Sequence, residues 1–388
     1  MKLANPLRFI LLFVGCLVAG LALAAQSASI AFIRKAPETA VMLFPLNGLA
    51  RQNVATAVFT SSVTGSSGPE QAALVAEKWA RNAYETEPLT PEAHAILALA
   101  QGARAKRSKV IGLASLLNRR EPTLQALVLQ EYVEAEDYSK SVETLDQILR
   151  VRPARSSELF PVLLPVFARD GAVKEFAEVL DGTSPWHQRF VNYAVAEPTA
   201  LKNLLDLRYL VNFDDLKFDQ ALLRNLVQQD ETSLGYDFYT KLLSNGGRVE
   251  AKGGLGWEST YPPFDWRFTD HSDFRAQTSL DGGDLELYVR PGNGGVFAWR
   301  IVETPDTPFS VSIEHEISPK NLSKDVKIAL RCTQAGEPFL EQEFGEHSLR
   351  LFVEKTPSEC RFMEIKLQAR AWTGQSALRG TISSLVIE

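Results

Sequence analysis

The chain has 388 residues, 45% of them apolar and 23% charged, with a formal charge of -6. That length and composition fit two folded units, each able to bury a core, beside a short leader. So weak a negative charge supplies no basic field for a polyanion, and nucleic acid is excluded as an expected partner.

Residues 9–25 carry no charge and no strongly polar side chain, and Lys2 and Arg8 precede them. Ala22-Leu23-Ala24 has the small-x-small form of a signal-peptidase site. The chain nevertheless stays largely apolar through Ile30, Phe32 and Ile33. Residues 9–33 are long enough to cross a hydrocarbon core of ~30 Å as a helix. The sequence therefore favours a retained single-pass anchor over a cleaved signal. Flanking charge does not orient it, because Arg34 and Lys35 match Lys2 and Arg8.

From residue 36 to 244 apolar residues recur at helical spacing. Pro88, Pro122, Pro153 and Pro185 are separated by 34, 31 and 32 residues. A period of this length predicts stacked helix–turn–helix units, each closed by a proline. The clearest unit carries Tyr132, Asp137, Tyr138, Ser141, Ile148 and Pro153. A preceding one has Ala76 and Ala83 seven apart. Small residues there let neighbouring helices approach. Residues 38–59 read as a degenerate first unit and 61–69 as a loop, while Pro161 and Pro165 are expected to interrupt a helix. Leu234-Gly235 followed by Phe238 reads as the start of a further repeat. The basic cluster Arg104, Lys106, Arg107, Lys109, Arg119 and Arg120 reads as a wet helical face, with an anionic-ligand patch as the alternative.

These residues resemble the tetratricopeptide repeat, with its mid-helix Tyr, its Asp-Tyr turn and its closing Pro. The resemblance covers roughly residues 36–185 and implies an α-solenoid whose curved surface binds a protein partner.

Near Asn245 the period changes to two. Residues 285–289, 296–301, 311–317, 326–332, 349–353, 363–371 and 381–387 predict strands, with plain alternation in Val311, Ile313, His315 and Ile317. Short strands between turn residues predict an antiparallel β-sandwich over residues 245–388. Cys332 and Cys360 fall in this half and follow an export leader, so a disulfide in an oxidising compartment is expected, two free thiols being the alternative. Strand parity points Cys332 inward. Cys360 would point outward, unless it sits at a strand mouth where parity is not yet set.

The order Trp257, Tyr261, Phe264-Asp265-Trp266-Arg267, Trp299 and a closing strand through Ile387 resembles the jelly-roll carbohydrate-binding modules. It is also similar to the β-domain that follows tetratricopeptide units in bacterial envelope proteins linked to exopolysaccharide production. There a Phe-Asp-Trp-Arg opening and a two-cysteine framework recur. The expected fold is thus multidomain α then β: a leader over 1–35, TPR-like helix hairpins over 36–244 and a jelly-roll sandwich over 245–388. The resemblance implies a Gram-negative inner-membrane protein with its bulk in the periplasm.

Aromatic faces stack on the C–H faces of sugars. Trp257, Tyr261, Trp266 and Trp299 are therefore the candidate glycan contacts, with core packing as the alternative for each. No catalytic constellation emerges. His315-Glu316 lies on a strand, where a hydrogen-bonded core histidine is expected, and the other histidines are scattered. Asp265, Asp270, Asp273, Asp281 and Asp284 suit turns better than calcium. The expectation is a non-catalytic, membrane-anchored scaffold. It needs no cofactor or metal, binds protein through its helices and takes a polysaccharide as a second ligand. The alternative is a carbohydrate-active enzyme or its glycan-binding subunit.

Overall fold

The computed structural model describes residues 6–64, 68–118, 120–246, 254–280 and 283–388. The chain forms two compact units. One comprises Met1–Val166 with Lys174–Leu180, the other Phe167–Val173 with Asp181–Glu388.

The first unit begins with α1 (Pro6–Phe32). Its stretch Arg8–Phe32 has a mean hydropathy of 2.4 and is long and apolar enough to cross a membrane. The last turns of α1 are tied to the chain that follows. Ser29 is fully buried, its hydroxyl donates to the Ala40 carbonyl at 2.8 Å, and it accepts from Asn47 Nδ2 at 2.8 Å.

Then come α2 (Pro37–Leu43), α3 (Gly48–Thr64), α4 (Pro69–Thr86), α5 (Pro91–Leu99), α6 (Arg104–Leu117), α7 (Pro122–Glu134) and α8 (Tyr138–Val151). Next are α9 (Ser156–Phe167) and α10 (Val173–Ala177). Along α3–α5 the core of this unit is built largely from alanine. Ala73, Ala76, Ala80 and Ala83 line one face of α4 and are wholly buried with Ala55 of α3 and Ala93 and Ala98 of α5. Side chains this small allow close helix approach, as the spacing of Ala76 and Ala83 predicts.

The prolines act differently from expectation. Pro122 and Pro185 occupy the first helical turn of the next element, and Pro153 opens the 3₁₀ turn Pro153–Arg155. They start helices rather than close them, because the first turn needs no proline N–H and welcomes its fixed φ. Pro161 and Pro165 lie inside α9, which runs through both. Residues 61–64, expected in a loop, end α3.

The second unit opens with α11 (Pro185–Ala194), α12 (Leu201–Leu210), α13 (Leu216–Gln228) and α14 (Thr232–Asn245). Asp215 caps α13, its carboxylate accepting from the N–H groups of Lys217 and Phe218. Among the described residues eleven strands follow: β1 (Arg267–Phe268), β2 (Asp270–His271), β3 (Phe274–Thr278), β4 (Leu285–Val289), β5 (Gly294–Glu303) and β6 (Phe309–Ser318), then β7 (Val326–Cys332), β8 (Leu340–Glu343), β9 (Ser348–Val353), β10 (Phe362–Arg370) and β11 (Leu378–Ile387). They form a five-stranded sheet, β1-β5-β10-β7-β8, and a six-stranded sheet, β2-β3-β4-β11-β6-β9. The strand pairings are antiparallel. The alternation read in β6 holds: Val311, Ile313, His315 and Ile317 are buried, while Glu314 and Glu316 are exposed. This is the α-then-β architecture with a β-sandwich.

Cys332 ends β7 and Cys360 lies just before β10, and the two form a disulfide with Cα atoms 5.3 Å apart. Cys360 is in the turn after Glu359, whose φ is 68°, so strand parity does not reach it.

The change of secondary structure near Asn245 is not the edge of a compact unit. Helices α11–α14 and both sheets belong together, welded by the Phe264-Asp265-Trp266-Arg267 segment. Phe264 is fully buried and stacks on Tyr239 of α14 with ring centroids 5.3 Å apart. Gly235 of α14 makes room for it: a Cβ there would lie 3.2 Å from the Phe264 ring. That close approach, rather than a repeat signature, accounts for the glycine. Asp265 is also fully buried and accepts from the Tyr239 hydroxyl and the Tyr261 N–H, both at 2.9 Å. Residues 247–253 and 281–282 lie outside the described residues.

Candidate functional site

The four candidate aromatics separate into two pairs. Trp257 and Trp266 are 4% and 0% exposed and pack on each other with centroids 5.0 Å apart inside the sandwich. Core packing, the alternative reading, describes Trp266, while Trp257 packs in the core and also borders a cavity of about 590 Å³ with Thr260 and Thr278. Tyr261 and Trp299 are only half-buried, and each lines a different cavity of the second unit.

Tyr261 borders a cavity of about 620 Å³ with Tyr209, Arg208, Lys241 and Asp214. Lys241 Nζ stands 3.8 Å above the Tyr209 ring, a cation–π contact. Arg208 grips Asp219 with two bonds of 2.9 and 3.1 Å. Burial pushes the Asp219 carboxyl up, Asp215 and Asp214 add to the rise, and Arg208 opposes it. Burial also raises the Tyr209 phenol, helped by Asp237 and Asp206. The groups here are largely engaged with one another.

Trp299 stands on the outer face of the five-stranded sheet. Its register partners are Arg267 on β1 and Lys366 on β10. With Arg267, Pro262 and Pro263, and with Gln220 and Arg224 of α13, it lines a cavity of about 320 Å³. Arg224 and Arg267 are exposed and have no ion-pair partner among the described residues. Lys366 differs, being bound to Glu364 at 2.8 Å. Gln220 donates to the Thr260 carbonyl at 2.8 Å, which holds it at the cavity edge.

Trp372 is 48% exposed, with the Arg370 guanidinium 3.9 Å over its ring and its indole N–H donating to Asp325 at 3.2 Å. His315 is buried as expected, against Phe344. Neither of its ring nitrogens has a hydrogen-bond partner of good geometry, unlike the satisfied histidine expected there. Burial pushes its pKa down, His347 adds to this, and the Gly345 carbonyl opposes it. Asp265 is used by Tyr239 and Tyr261, Asp273 pairs with Arg290, and Asp281 lies outside the described residues. Among the described residues, no three His, Cys, Asp or Glu side chains converge as a metal site would need.

The first unit carries a groove of about 560 Å³ that the sequence did not single out. Val110, Leu113 and Leu117 of α6 line it, facing Tyr84 and His94. Leu113, Leu116 and Leu117 are 58–66% exposed. Lys106, Val110, Leu113 and Leu117 follow i, i+4, i+7, i+11 spacing and so form one stripe about 16 Å long. Lys106 and Lys109 are exposed, without ion-pair partners among the described residues, whereas Arg107 pairs with Glu70. The side chain of Arg104, and Arg119, lie outside the described residues. His94 is 7% exposed, meets Tyr84 edge-on at 5.4 Å, and its Nδ1 has no partner. Burial holds its pKa below the usual imidazole value against the opposing Pro88 carbonyl, so the ring is neutral at pH 7.

Comparison with known proteins adds little. No family pattern and no curated protein matches the chain. Among the solved structures similar to part of the chain are three. The first is TmCBM61, solved in complex with beta-1,4-galactotriose, at 17% identity and a TM-score of 0.24 over 34% of this chain and 94% of that one. The second is the accessory secretory protein 1, 2 and 3 structure from Streptococcus pneumoniae, at 11% identity and 0.24 over 36% and 97%. The third is xylanase 10C of Cellvibrio japonicus with xylopentaose, at 16% identity and 0.22 over 36% and 27%.

Proposed function

We propose that the protein is a membrane-anchored, non-catalytic scaffold of the cell envelope that holds a protein partner along α6. The carrying observation is the groove with its stripe Lys106, Val110, Leu113 and Leu117. Large apolar side chains left in water on one helix face mark a docking surface. The occupant is defined by complementarity: a partner segment with apolar side chains at helical spacing and carboxylates at the end that meets Lys106 and Lys109. The apolar stretch Arg8–Phe32 and the Cys332–Cys360 disulfide support a single-pass anchor with the bulk of the chain in an oxidising compartment, the periplasm of a Gram-negative cell. The resemblance carried by Phe264, Asp265, Trp266, Arg267 and the two cysteines supports a setting in surface polysaccharide assembly or export.

A photo-crosslinking residue at Leu113 in the full chain tests the docking. The expected product is a single cross-linked partner whose attached peptide is apolar and acidic. It disappears in the Lys106→Glu, Lys109→Glu variant and persists when Phe352 is changed to Asp. Cross-links only to lipid, or a product indifferent to the lysines, would refute the docking. Turnover of a glycan by the purified chain would refute the non-catalytic reading.

A further inference from the structure

We infer that the Trp299 cavity of the second unit binds a carboxylated saccharide, a uronate-type sugar, and not a neutral one. The inference rests on side chains remote in sequence from α6 and stands whether or not a protein docks there.

Three observations converge. First, the cavity offers an aromatic surface: Trp299 is half-buried on the sheet with its flank open to a volume of about 320 Å³. That is the low end of small-ligand cavities, which run to about 300–1,000 Å³. An indole face suits the C–H face of a sugar ring. Secondly, the charge is one-sided. Arg224 comes from α13 and Arg267 from β1, so two unrelated elements bring guanidinium groups to the same opening. Neither is spent on a carboxylate among the described residues, and the described side chains lining the cavity include no acid. In a chain with more acids than bases, two arginines left unpaired at one cavity are a local inversion of charge. Thirdly, Gln220 and Gln228 supply amides that suit hydroxyl groups, and Gln220 is held in place by Thr260.

Stacking alone would take any sugar. Paired guanidinium forks are planar and match a carboxylate through two parallel bonds, so they select a ring that carries one. The Tyr261 cavity lacks this property: Arg208 is consumed by Asp219 and the lining includes three aspartates. Polymer-borne and free uronates share the recognised group, and chain length in the test distinguishes them.

The test is calorimetric titration of the full chain in detergent with trigalacturonate, triglucuronate and trimannuronate, each against its carboxyl-reduced counterpart. Monomeric galacturonate serves as the short arm. At least one trimer is expected to bind at least tenfold more tightly than its reduced counterpart, with affinity falling as salt rises. Arg224→Gln with Arg267→Gln should erase that preference while leaving weak stacking. Trp299→Ala should abolish binding of acidic and reduced forms alike. Trp299→Phe should restore part of it, which separates loss of stacking from loss of fold. Equal affinity for acidic and reduced sugars, wild-type affinity in the double arginine variant, or no binding by any trimer would overturn the inference.

Discussion

The two units solve the same problem with opposite materials. Along α3–α5 of the helical unit the interior is filled largely by alanine, with larger side chains such as Leu124, Leu149, Leu163 and Phe176 buried further along, and the large apolar side chains Leu74, Val75, Leu113, Leu116 and Leu117 are left outside. In the second unit the largest rings are inside: Trp186, Tyr239, Phe264, Trp266 and Phe297 are buried, and the exposed large apolar residues of its strands are few, Phe352 among them. An alanine core permits close helices but removes little apolar area per residue, so such a unit gains more from a partner that covers its leucines. An aromatic core is self-sufficient, and its surface is free for polar recognition. On the proposed reading, docking falls to the first unit and ligand selection to the second.

The contrast breaks most sharply at the weld. Trp266→Ala should destabilise the second unit by about 3–5 kcal/mol, because a fully buried ring leaves a cavity. Urea unfolding followed by tryptophan fluorescence and by far-UV circular dichroism would show it, the helical unit's transition remaining in place. Removal of the disulfide comes next. Its cysteines are 28 apart in sequence, so opening the link should cost about 3.5 kcal/mol in the second unit. Unfolding with and without reductant measures this, and an effect on the first unit would contradict the division. Asp265→Ala removes the acceptor of the buried Tyr239 hydroxyl and of the part-buried Tyr261 N–H, and should cost about 1–3 kcal/mol. Tyr239→Phe in that background should recover part of the loss.

How much of this was legible depends on the range of the forces involved. The strands from β4 to β11 were readable, except β8, because a two-residue period needs only local sequence and one wet face. Strands β1, β2 and β3 were not: the first two have two residues each, and β3 buries only Ala276 fully, so only pairing reveals them. The role of Phe264-Asp265-Trp266-Arg267 was half legible. The motif stood out, yet Phe264 and Trp266 go to different neighbours, and Gly235 lies about thirty residues away. Trp299 was a candidate by type, but Arg224 reads in sequence as part of a polar stripe with Gln220 and Gln228. Nothing local places that stripe beside β1.

Smaller effects sharpen the comparison further. Leu113→Asp should change the stability of the helical unit by less than about 0.5 kcal/mol, since the side chain is already in water, while abolishing co-purification of the partner with the full chain in mild detergent. A large loss of stability would show that Leu113 belongs to the core instead. The smallest expected effect is on pH dependence. His94 and His315 have folded pKa values below the ordinary 6.5, so the unfolded chain takes up protons first. Each histidine's stabilisation is complete above that value and is lost as pH falls from about 6.5 through the folded pKa. Unfolding midpoints between pH 7.5 and 5 should therefore decline in both units. His315→Phe should flatten the decline in the second unit alone.

The sequence by itself determined the apolar leader, the passage from helical to alternating period, and the two cysteines available to each other. These depend on residues a few positions apart, where backbone geometry sets the spacing. Only the tertiary structure decided that the last helices join the sandwich, that Trp257 and Trp266 are core while Trp299 is half-buried, and that Arg224 and Arg267 line one cavity. Those outcomes follow from which side chains compete for the same buried volume, and that competition is settled between segments far apart in the chain.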